Sequence, residues 1–144
     1  MDNLLISACL LGLSCRYDGE YREYDLKNLR EKFNLIPICP EIYGGLPTPR
    51  VPSEIQGEKV VNRNGEDVTA QYEKGAQEAL KLAKLYNAKY ALLKAKSPSC
   101  GKNEVYDGSF TATLVSGEGV TAKLLRENEL VIFTENEINI LLEK

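Results

Sequence analysis

The sequence predicts a single α/β domain with a mostly parallel sheet of about four strands and helices on both faces, a Rossmann-like three-layer sandwich. Two observations lead to this prediction. Short apolar runs alternate with segments of helical periodicity along all 144 residues. A strand, a helix and a second strand also follow one another within about 36 residues, the size of a βαβ unit with parallel strands. The composition, with 43% apolar and 27% charged residues, is typical of a globular protein.

The βαβ unit begins with an apolar strand at residues 3–8 and returns with a second strand at residues 35–39. Asp25 is predicted to cap the helix between them, because an aspartate accepts hydrogen bonds from free N–H groups at a helix start. The apolar face of this helix carries Leu26, Leu29 and Phe33. Residues 40–57 are rich in proline and glycine. We expect an ordered active-site loop there, because long loops in compact domains are usually functional.

The second half of the chain contains the remaining elements. Val60-Val61 and Asn64-Gly65 predict a small hairpin or tight turn. Thr69 is predicted to cap the longest helix, at residues 69–86. The elements that follow are a third strand at 89–94, a short strand near 110–114, a helix from Val120 to near Asn128, a fourth strand at 130–133 and a last helix opened by a capping box of Thr134 and Glu137. We expect the four main strands to lie in the order 2-1-3-4.

The composition excludes several kinds of site. The chain contains no histidine, which excludes Ser-His-Asp triads, Cys-His pairs and zinc sites with histidine ligands. The net charge of −3 indicates no strong nucleic-acid-binding surface, since such surfaces need many Lys and Arg residues. No apolar run approaches the roughly 18 residues of a membrane span. Met1-Asp2-Asn3 does not resemble the start of a signal peptide. We therefore expect a cytoplasmic protein with reduced thiols and no membrane partner.

Three of the four cysteines each follow a predicted strand: Cys9 the first, Cys39 the second and Cys100 the third. Because ligands bind outside the carboxyl ends of parallel strands, we expect these thiols to meet at one edge of the sheet. Three thiolates without histidine favour an iron–sulfur cluster, and a four-iron cluster held in this way leaves one iron open to a substrate atom. The alternative is that the cysteines are buried apolar residues. Cys15 is open to three interpretations: a fourth ligand, a nearby thiol or a structural residue.

Two further segments carry candidate catalytic residues. Glu41 lies two residues after Cys39, where a carboxylate in a partly dry pocket suits a general acid or base. The alternative is an exposed loop glutamate. Ser97 and Ser99 lie in a turn-forming segment, and either hydroxyl could position a water or donate a hydrogen bond. The alternative for this segment is a turn stabilised by serine side chains.

The candidate substrate-binding residues are Arg50, Tyr17 and Asp18. Arg50 lies in a rigid Pro-Arg-Val-Pro segment, and arginine suits bidentate contact with carboxylates or carbonyl groups. The alternative is a salt bridge between Arg50 and Glu54 that clamps the loop. Tyr17 and Asp18 lie in the first loop, where a substrate contact and a structural role are equally compatible with the pattern.

Several segments together resemble the thiouracil desulfurase family, which was long known only as a bacterial domain of unknown function. The similar segments are Ser7-Ala8-Cys9-Leu10-Leu11-Gly12, Cys15-Arg16-Tyr17-Asp18-Gly19, Cys39-Pro40-Glu41, Gly44-Gly45-Leu46-Pro47-Thr48-Pro49-Arg50, Pro52-Ser53-Glu54, Leu93-Lys94, Ser97-Pro98-Ser99-Cys100-Gly101, Val105-Tyr106-Asp107-Gly108 and Gly119-Val120-Thr121-Ala122. The similarity covers nearly the whole chain, so we expect residues 1–144 to be one desulfurase-like domain.

The resemblance implies a [4Fe-4S] cluster on Cys9, Cys39 and Cys100. It implies removal of sulfur from a thiolated nucleobase such as 2-thiouracil without net redox chemistry, giving uracil and sulfide. It further implies that Glu41 is the acid–base residue and that Ser97 or Ser99 assists. One alternative is a cluster-based sulfur carrier or salvage enzyme for another thio-compound. Another is a non-catalytic module that binds a nucleobase-like ligand, with zinc or no metal on its cysteines.

Overall fold

The structure of the protein is a computed structural model that describes residues 1–19, 24 and 26–144. The strands are β1 (Asp2–Ser7), β2 (Phe33–Ile38), β3 (Ser53–Gln56), β4 (Lys59–Asn62), β5 (Tyr90–Leu93), β6 (Glu104–Tyr106), β7 (Leu114–Ser116) and β8 (Val131–Thr134). The helices are α1 (Lys27–Lys32), α2 (Pro40–Tyr43), α3 (Thr69–Leu85), α4 (Val120–Glu127) and α5 (Ile138–Leu142), with 3-10 turns at Ala8–Leu11 and Glu135–Glu137.

The central sheet consists of four parallel strands in the order β2-β1-β5-β8. If only these four strands are numbered, the order is 2-1-3-4, so the predicted α/β fold class and the predicted strand order are both confirmed. Leu5 of β1 pairs with Ile36 of β2 on one side and with Ala91 of β5 on the other. Leu4, Leu5 and Ile6 are fully buried, because a central parallel strand is covered on both faces.

Helices cover both faces of this sheet. On one face α3 and α4 pack against a cluster that includes Leu5, Leu93 and Leu125. On the other face α1 and α5 pack against a cluster that includes Leu4 and Ile6. Successive side chains of a strand point to opposite faces, which is why the neighbours Leu4 and Leu5 belong to different clusters. The result is a three-layer arrangement in which the helices cover the two faces of the sheet.

The first crossover differs from its prediction at Phe33. This residue has extended backbone angles, φ −126° and ψ 153°, and begins β2 instead of continuing α1. Its ring is buried and makes an edge contact with Tyr90, 6.1 Å between centroids. Packing on the sheet therefore overrides the helical spacing that placed Phe33 on α1. Asp25, the predicted helix cap, lies outside the described residues.

Residues 40–57 contain more regular structure than the predicted loop. Pro40 opens α2 directly after Cys39, since the ring of proline holds the backbone angle that a first helical residue needs. Ser53–Gln56 forms β3, which pairs antiparallel with β4. The short strand expected near 110–114 begins at Leu114 and pairs with β6. These two small sheets lie outside the central one.

Three turn and cap predictions have different outcomes. The predicted hairpin exists as β3–β4, and its tip is Gly57, while Gly65 lies in a second turn after it. Thr69 does not cap α3 but is its first residue, and its hydroxyl accepts a hydrogen bond from the Val60 N–H at 2.9 Å. The capping box of Thr134 and Glu137 is confirmed, and it opens the 3-10 turn before α5. Within the described residues, no helix combines the length and apolar character needed to cross a membrane.

Candidate active site

A cavity of about 460 Å³ lies outside the carboxyl ends of β1, β2 and β5. All four cysteines line it: Cys9, Cys15, Cys39 and Cys100. The structure thus brings together the three thiols that the sequence placed after three separate strands. This happens because parallel strands end at the same edge, so chain segments far apart in sequence converge there.

Local structure sets the position of each strand-end cysteine. Cys9 lies in the 3-10 turn that follows β1, and this turn ends at Gly12, whose φ of 84° suits a residue without a Cβ. Cys39 is the residue between β2 and α2. Cys100 is buried, and its N–H donates to the Ser97 hydroxyl at 3.1 Å. Its sulfur lies 3.4 Å from the Ser7 hydroxyl oxygen.

Cys15 belongs to the same group of thiols although it lies in the loop. It is buried, and the Cys39 thiol lies 3.9 Å from its carbonyl oxygen. Arg50 donates to that carbonyl oxygen at 3.2 Å, which ties the loop to the site. The structure therefore places Cys15 beside the predicted ligands and inside the cavity wall.

The surroundings of Cys15, Cys39 and Cys100 favour the protonated form of these three thiols. Burial raises the pKa of Cys100 to about 12. Hydrogen bonding with Cys15, together with burial, raises the pKa of Cys39 far above its usual range. For Cys15 the hydrogen bond with Cys39 lowers the pKa, but hydrogen bonding with Cys9 and burial outweigh it and the pKa rises to about 11. Thiolates at these positions need a bound cation to stabilise them, and its binding would release protons.

The donor set fits a cluster better than a single ion. Across residues 1–19, 24 and 26–144, no group of three or more Cys, Asp or Glu side chains is gathered closely enough to hold one metal ion. Thiolates that bind different irons of one cluster are necessarily farther apart than the ligands of a single ion. Soft thiolate donors also select iron–sulfur clusters. Cys9, Cys39 and Cys100 line the same cavity and offer the soft sulfur donors that a cluster binds.

Glu41 enters the cavity from the first turn of α2. One of its carboxylate oxygens accepts a hydrogen bond from the Tyr72 hydroxyl at 2.7 Å and lies 3.1 Å from an Arg50 nitrogen. The backbone of α2 is pressed against α3 at Gly75, where a Cβ would lie 1.9 Å from the Pro40 carbonyl oxygen. Glu41 is therefore held by its own helix, by a neighbouring helix and by a loop arginine.

Arg50 lies behind Glu41 and is not among the residues that line the cavity. Its guanidinium also donates to the Pro47 carbonyl at 3.0 Å and to the Thr48 hydroxyl at 3.1 Å. The predicted alternative of a salt bridge to Glu54 is wrong, because Glu54 accepts from backbone N–H groups instead. The arrangement makes Arg50 a support for the Glu41 carboxylate and for the loop.

The two candidate serines have different surroundings. Ser97 lines the cavity, and its hydroxyl oxygen accepts from the N–H groups of Ser99 and Cys100, both at 3.1 Å. Ser99 is fully buried and shares a hydrogen bond of 2.9 Å with the Thr121 hydroxyl. Its backbone lies against Gly119, where an added Cβ would be 2.4 Å from the Ser99 carbonyl. Of the two hydroxyls, only that of Ser97 lies on the cavity wall.

The first loop contributes one of its two predicted residues directly. Tyr17 lines the cavity at its exposed rim. Asp18 is not on the cavity wall, but it forms an ion pair of 3.5 Å with Arg16, and Arg16 does line the cavity. Asp18 is therefore linked to the cavity through Arg16.

Sequence reasoning missed four residues that shape the site: Ser7, Tyr72, Lys94 and Phe110. Ser7 and Lys94 stand at the ends of β1 and β5, a position that could have singled them out. Lys94 lines the cavity and pairs with Glu135 at 2.8 Å. Tyr72 and Phe110 carry no comparable sequence signal, since only the tertiary fold brings them to the cavity region.

Comparisons with known proteins agree with this geometry. The chain is 40% identical over 147 residues to the uncharacterized protein YbbK of Bacillus subtilis (strain 168), covering 94% of this chain and 97% of that protein. Its structure is similar to the solved structure of the [4Fe-4S]-dependent thiouracil desulfidase TudS, with a TM-score of 0.94 and 42% identity. That similarity covers 98% of this chain and 95% of the other. The model of the 2-thiouracil desulfurase family matches residues 4–137, and the chain therefore belongs to this family.

Proposed function

We propose that this protein is an iron–sulfur-cluster-dependent enzyme that removes sulfur from a thiolated nucleobase such as 2-thiouracil. The observation that carries the proposal is the convergence of Cys9, Cys39, Cys100 and Glu41 on one cavity. The family match and the similarity to TudS, a [4Fe-4S]-dependent thiouracil desulfidase, support the same activity. Residues 1–144 act as one desulfurase-like domain in this proposal.

The proposed cofactor is a [4Fe-4S] cluster on Cys9, Cys39 and Cys100. When bound by three thiolates, it would supply an iron without a protein ligand, which can act as a Lewis acid toward a thiocarbonyl sulfur. Cys15 stays outside the proposed ligand set and packs beside it. We place the enzyme in the cytoplasm, where thiols stay reduced and can bind a cluster.

The reaction replaces the sulfur of a C=S group by the oxygen of water. The C–S bond breaks, a C–O bond forms, and the two protons of the water leave with the sulfide, so no electrons are exchanged with an outside donor. Glu41 suits the proton transfer, because its carboxylate lies in the cavity and Tyr72 and Arg50 fix its direction. It would take a proton from the attacking water and return it to the leaving sulfur.

The other cavity residues would hold the nucleobase of the substrate. The Ser97 oxygen already accepts two backbone N–H groups, so its own proton is free to donate to a carbonyl oxygen of the nucleobase or to the attacking water. Tyr17 would contact the substrate at the rim, with Asp18 acting through Arg16. Arg50 would act through Glu41 and not by direct contact with the base.

The first experiment measures iron and acid-labile sulfide in protein prepared without oxygen. We expect about four of each per chain. The cluster should be lost in Cys9→Ser, Cys39→Ser and Cys100→Ser, and Cys15→Ser is the matched control that should retain it. Absence of stable iron, or zinc in its place, would overturn the proposal and favour a nucleobase-binding module.

The second experiment follows uracil and sulfide released from 2-thiouracil. Glu41→Gln should retain the cluster and lose most turnover, because an amide cannot accept the proton of the attacking water. Glu104→Gln, which changes an exposed carboxylate away from the cavity, should be as active as the wild type. Full activity of Glu41→Gln would remove Glu41 from the mechanism. Turnover of other thio-compounds but not of thiouracil would indicate sulfur salvage from a different substrate.

A further inference from the structure

The segment at residues 107–113 forms one wall of the cavity, where Phe110, Thr111 and Ala112 line it. The backbone of this segment is unusual, because φ is 94° at Gly108, 59° at Phe110 and 60° at Ala112. Glycine adopts such angles freely, but a bulky residue at positive φ is a clear outlier. The position of Phe110 is therefore strained, and something in the surrounding structure must hold it.

Glu54 and Gln56 of β3 hold this segment. The Glu54 carboxylate is buried, and one of its oxygens accepts from the Gly108 N–H at 3.0 Å and from the Phe110 N–H at 3.2 Å. The Gln56 amide donates to the Gly108 carbonyl at 2.8 Å. A Cβ at Gly108 would lie 2.8 Å from the Ile55 carbonyl, so the two backbones are in close contact. Strained residues persist only where surrounding contacts determine them in this way, and they cluster at ligand sites.

The ring of Phe110 is not part of the apolar core. It belongs to none of the buried clusters that hold the described elements together, and it is only partly buried. The Arg63 guanidinium lies 5.9 Å from the ring centroid, a cation–π distance. The strain at Phe110 therefore does not serve core packing. The arrangement places an aromatic residue on the lining of the cavity, and the same residue also lines a second pocket together with Arg63.

We propose that Phe110 is the residue against which the pyrimidine ring of the substrate stacks, and that it determines the preference of the site for flat aromatic bases. This inference rests on the proposed function. Thiouracil is uncharged and planar, so its π-face is a large part of what a protein can recognise. Base–aromatic stacking depends on that face and not on particular hydrogen bonds. Tyr17 lies at the exposed rim, whereas the backbone of Phe110 is held by a buried carboxylate.

The test compares three variants of the holoenzyme: Phe110→Tyr, Phe110→Leu and Phe110→Gly. Phe110→Leu removes the aromatic face but keeps an apolar side chain. Phe110→Gly removes the ring and also relieves the positive φ, so its thermal stability should equal or exceed that of the wild type. We expect KM for 2-thiouracil to rise roughly tenfold in the Leu and Gly variants with kcat nearly unchanged. Phe110→Tyr should stay within about twofold of the wild type, because the aromatic face remains.

A binding measurement makes the result independent of turnover. Calorimetry would give Kd for uracil and for 5,6-dihydrouracil, which has a similar outline but lacks the aromatic ring. We expect the wild type to prefer uracil and Phe110→Leu to lose most of that preference. If the wild type binds both equally, or if Phe110→Leu keeps the full preference, the stacking inference is wrong. A failure of the proposed function appears separately, as wild-type holoenzyme that prefers uracil but releases no sulfide from thiouracil.

Discussion

Replacing Tyr72 by Phe tests how Glu41 is held. The Tyr72 ring is almost completely buried, with 1% of its surface exposed, and packs beside Val60 and Val68. Burial and the neighbouring Glu41 charge raise the pKa of Tyr72 far above its usual range, so the hydroxyl remains a donor throughout the working pH range. Tyr72→Phe keeps the ring and its packing, and removes the 2.7 Å hydrogen bond to the Glu41 carboxylate.

The size of the effect follows from the type of bond. A hydrogen bond to a charged group contributes about 1.5–3 kcal/mol. If the transition state depends on the full bond, kcat falls by roughly 10- to 150-fold, since each 1.36 kcal/mol is a factor of ten. The free energy of unfolding should fall by only about 1.5 kcal/mol, because Arg50 still pairs with Glu41. Iron and sulfide content should not change.

The assay is release of uracil and sulfide from 2-thiouracil, with chemical denaturation as the measure of stability. Tyr90→Phe is the matched control, since it removes a tyrosine hydroxyl at the start of β5, away from the cavity lining, and keeps the ring contacts with Phe33 and Phe133. We expect it to lose up to about 1 kcal/mol of stability and no activity. If Tyr72→Phe with a full cluster retains at least half of the wild-type kcat, the hydrogen bond to Glu41 has no part in catalysis.

Three further changes test the surroundings of the cluster site. Gly75→Ala should lower kcat at least tenfold and the free energy of unfolding by about 2 kcal/mol, because the added Cβ would overlap the Pro40 carbonyl and push α2 and Glu41 away. An unchanged melting temperature would contradict this packing. Ser7→Ala should keep the cluster but lower its reduction potential in a redox titration, because the hydroxyl that donates to the Cys100 sulfur at 3.4 Å is lost. An unchanged potential would exclude a hydrogen bond from Ser7 to this sulfur. Cys15→Ser should keep iron content and activity within about threefold, and complete loss of iron would make Cys15 a ligand.

Local patterns were sufficient for most of the fold. The alternation of apolar strands and helical segments predicted the four-stranded parallel sheet, because buried parallel strands must be apolar on both faces. The expected strand order is also confirmed, although no local pattern determined it. The capping box at Thr134 was predicted correctly, since its contacts span three residues. Phe33 was assigned to the wrong element, because its ring packs against Tyr90, far away in the sequence. Thr69 was misread for the same reason, as its hydroxyl pairs with Val60 of the preceding strand.

By itself, the sequence determined that three thiols follow three parallel strands, and such strands must end at one edge of the sheet. It also determined that Glu41 lies near that edge, because Glu41 follows Cys39 with only Pro40 between them, whatever the rest of the chain does. Only the tertiary structure decided what surrounds these groups. Tyr72 and Arg50 reach Glu41 from a helix and a loop, and Glu54 holds Phe110 from a separate sheet. Such contacts depend on distances between elements, which a local pattern of residue types does not encode.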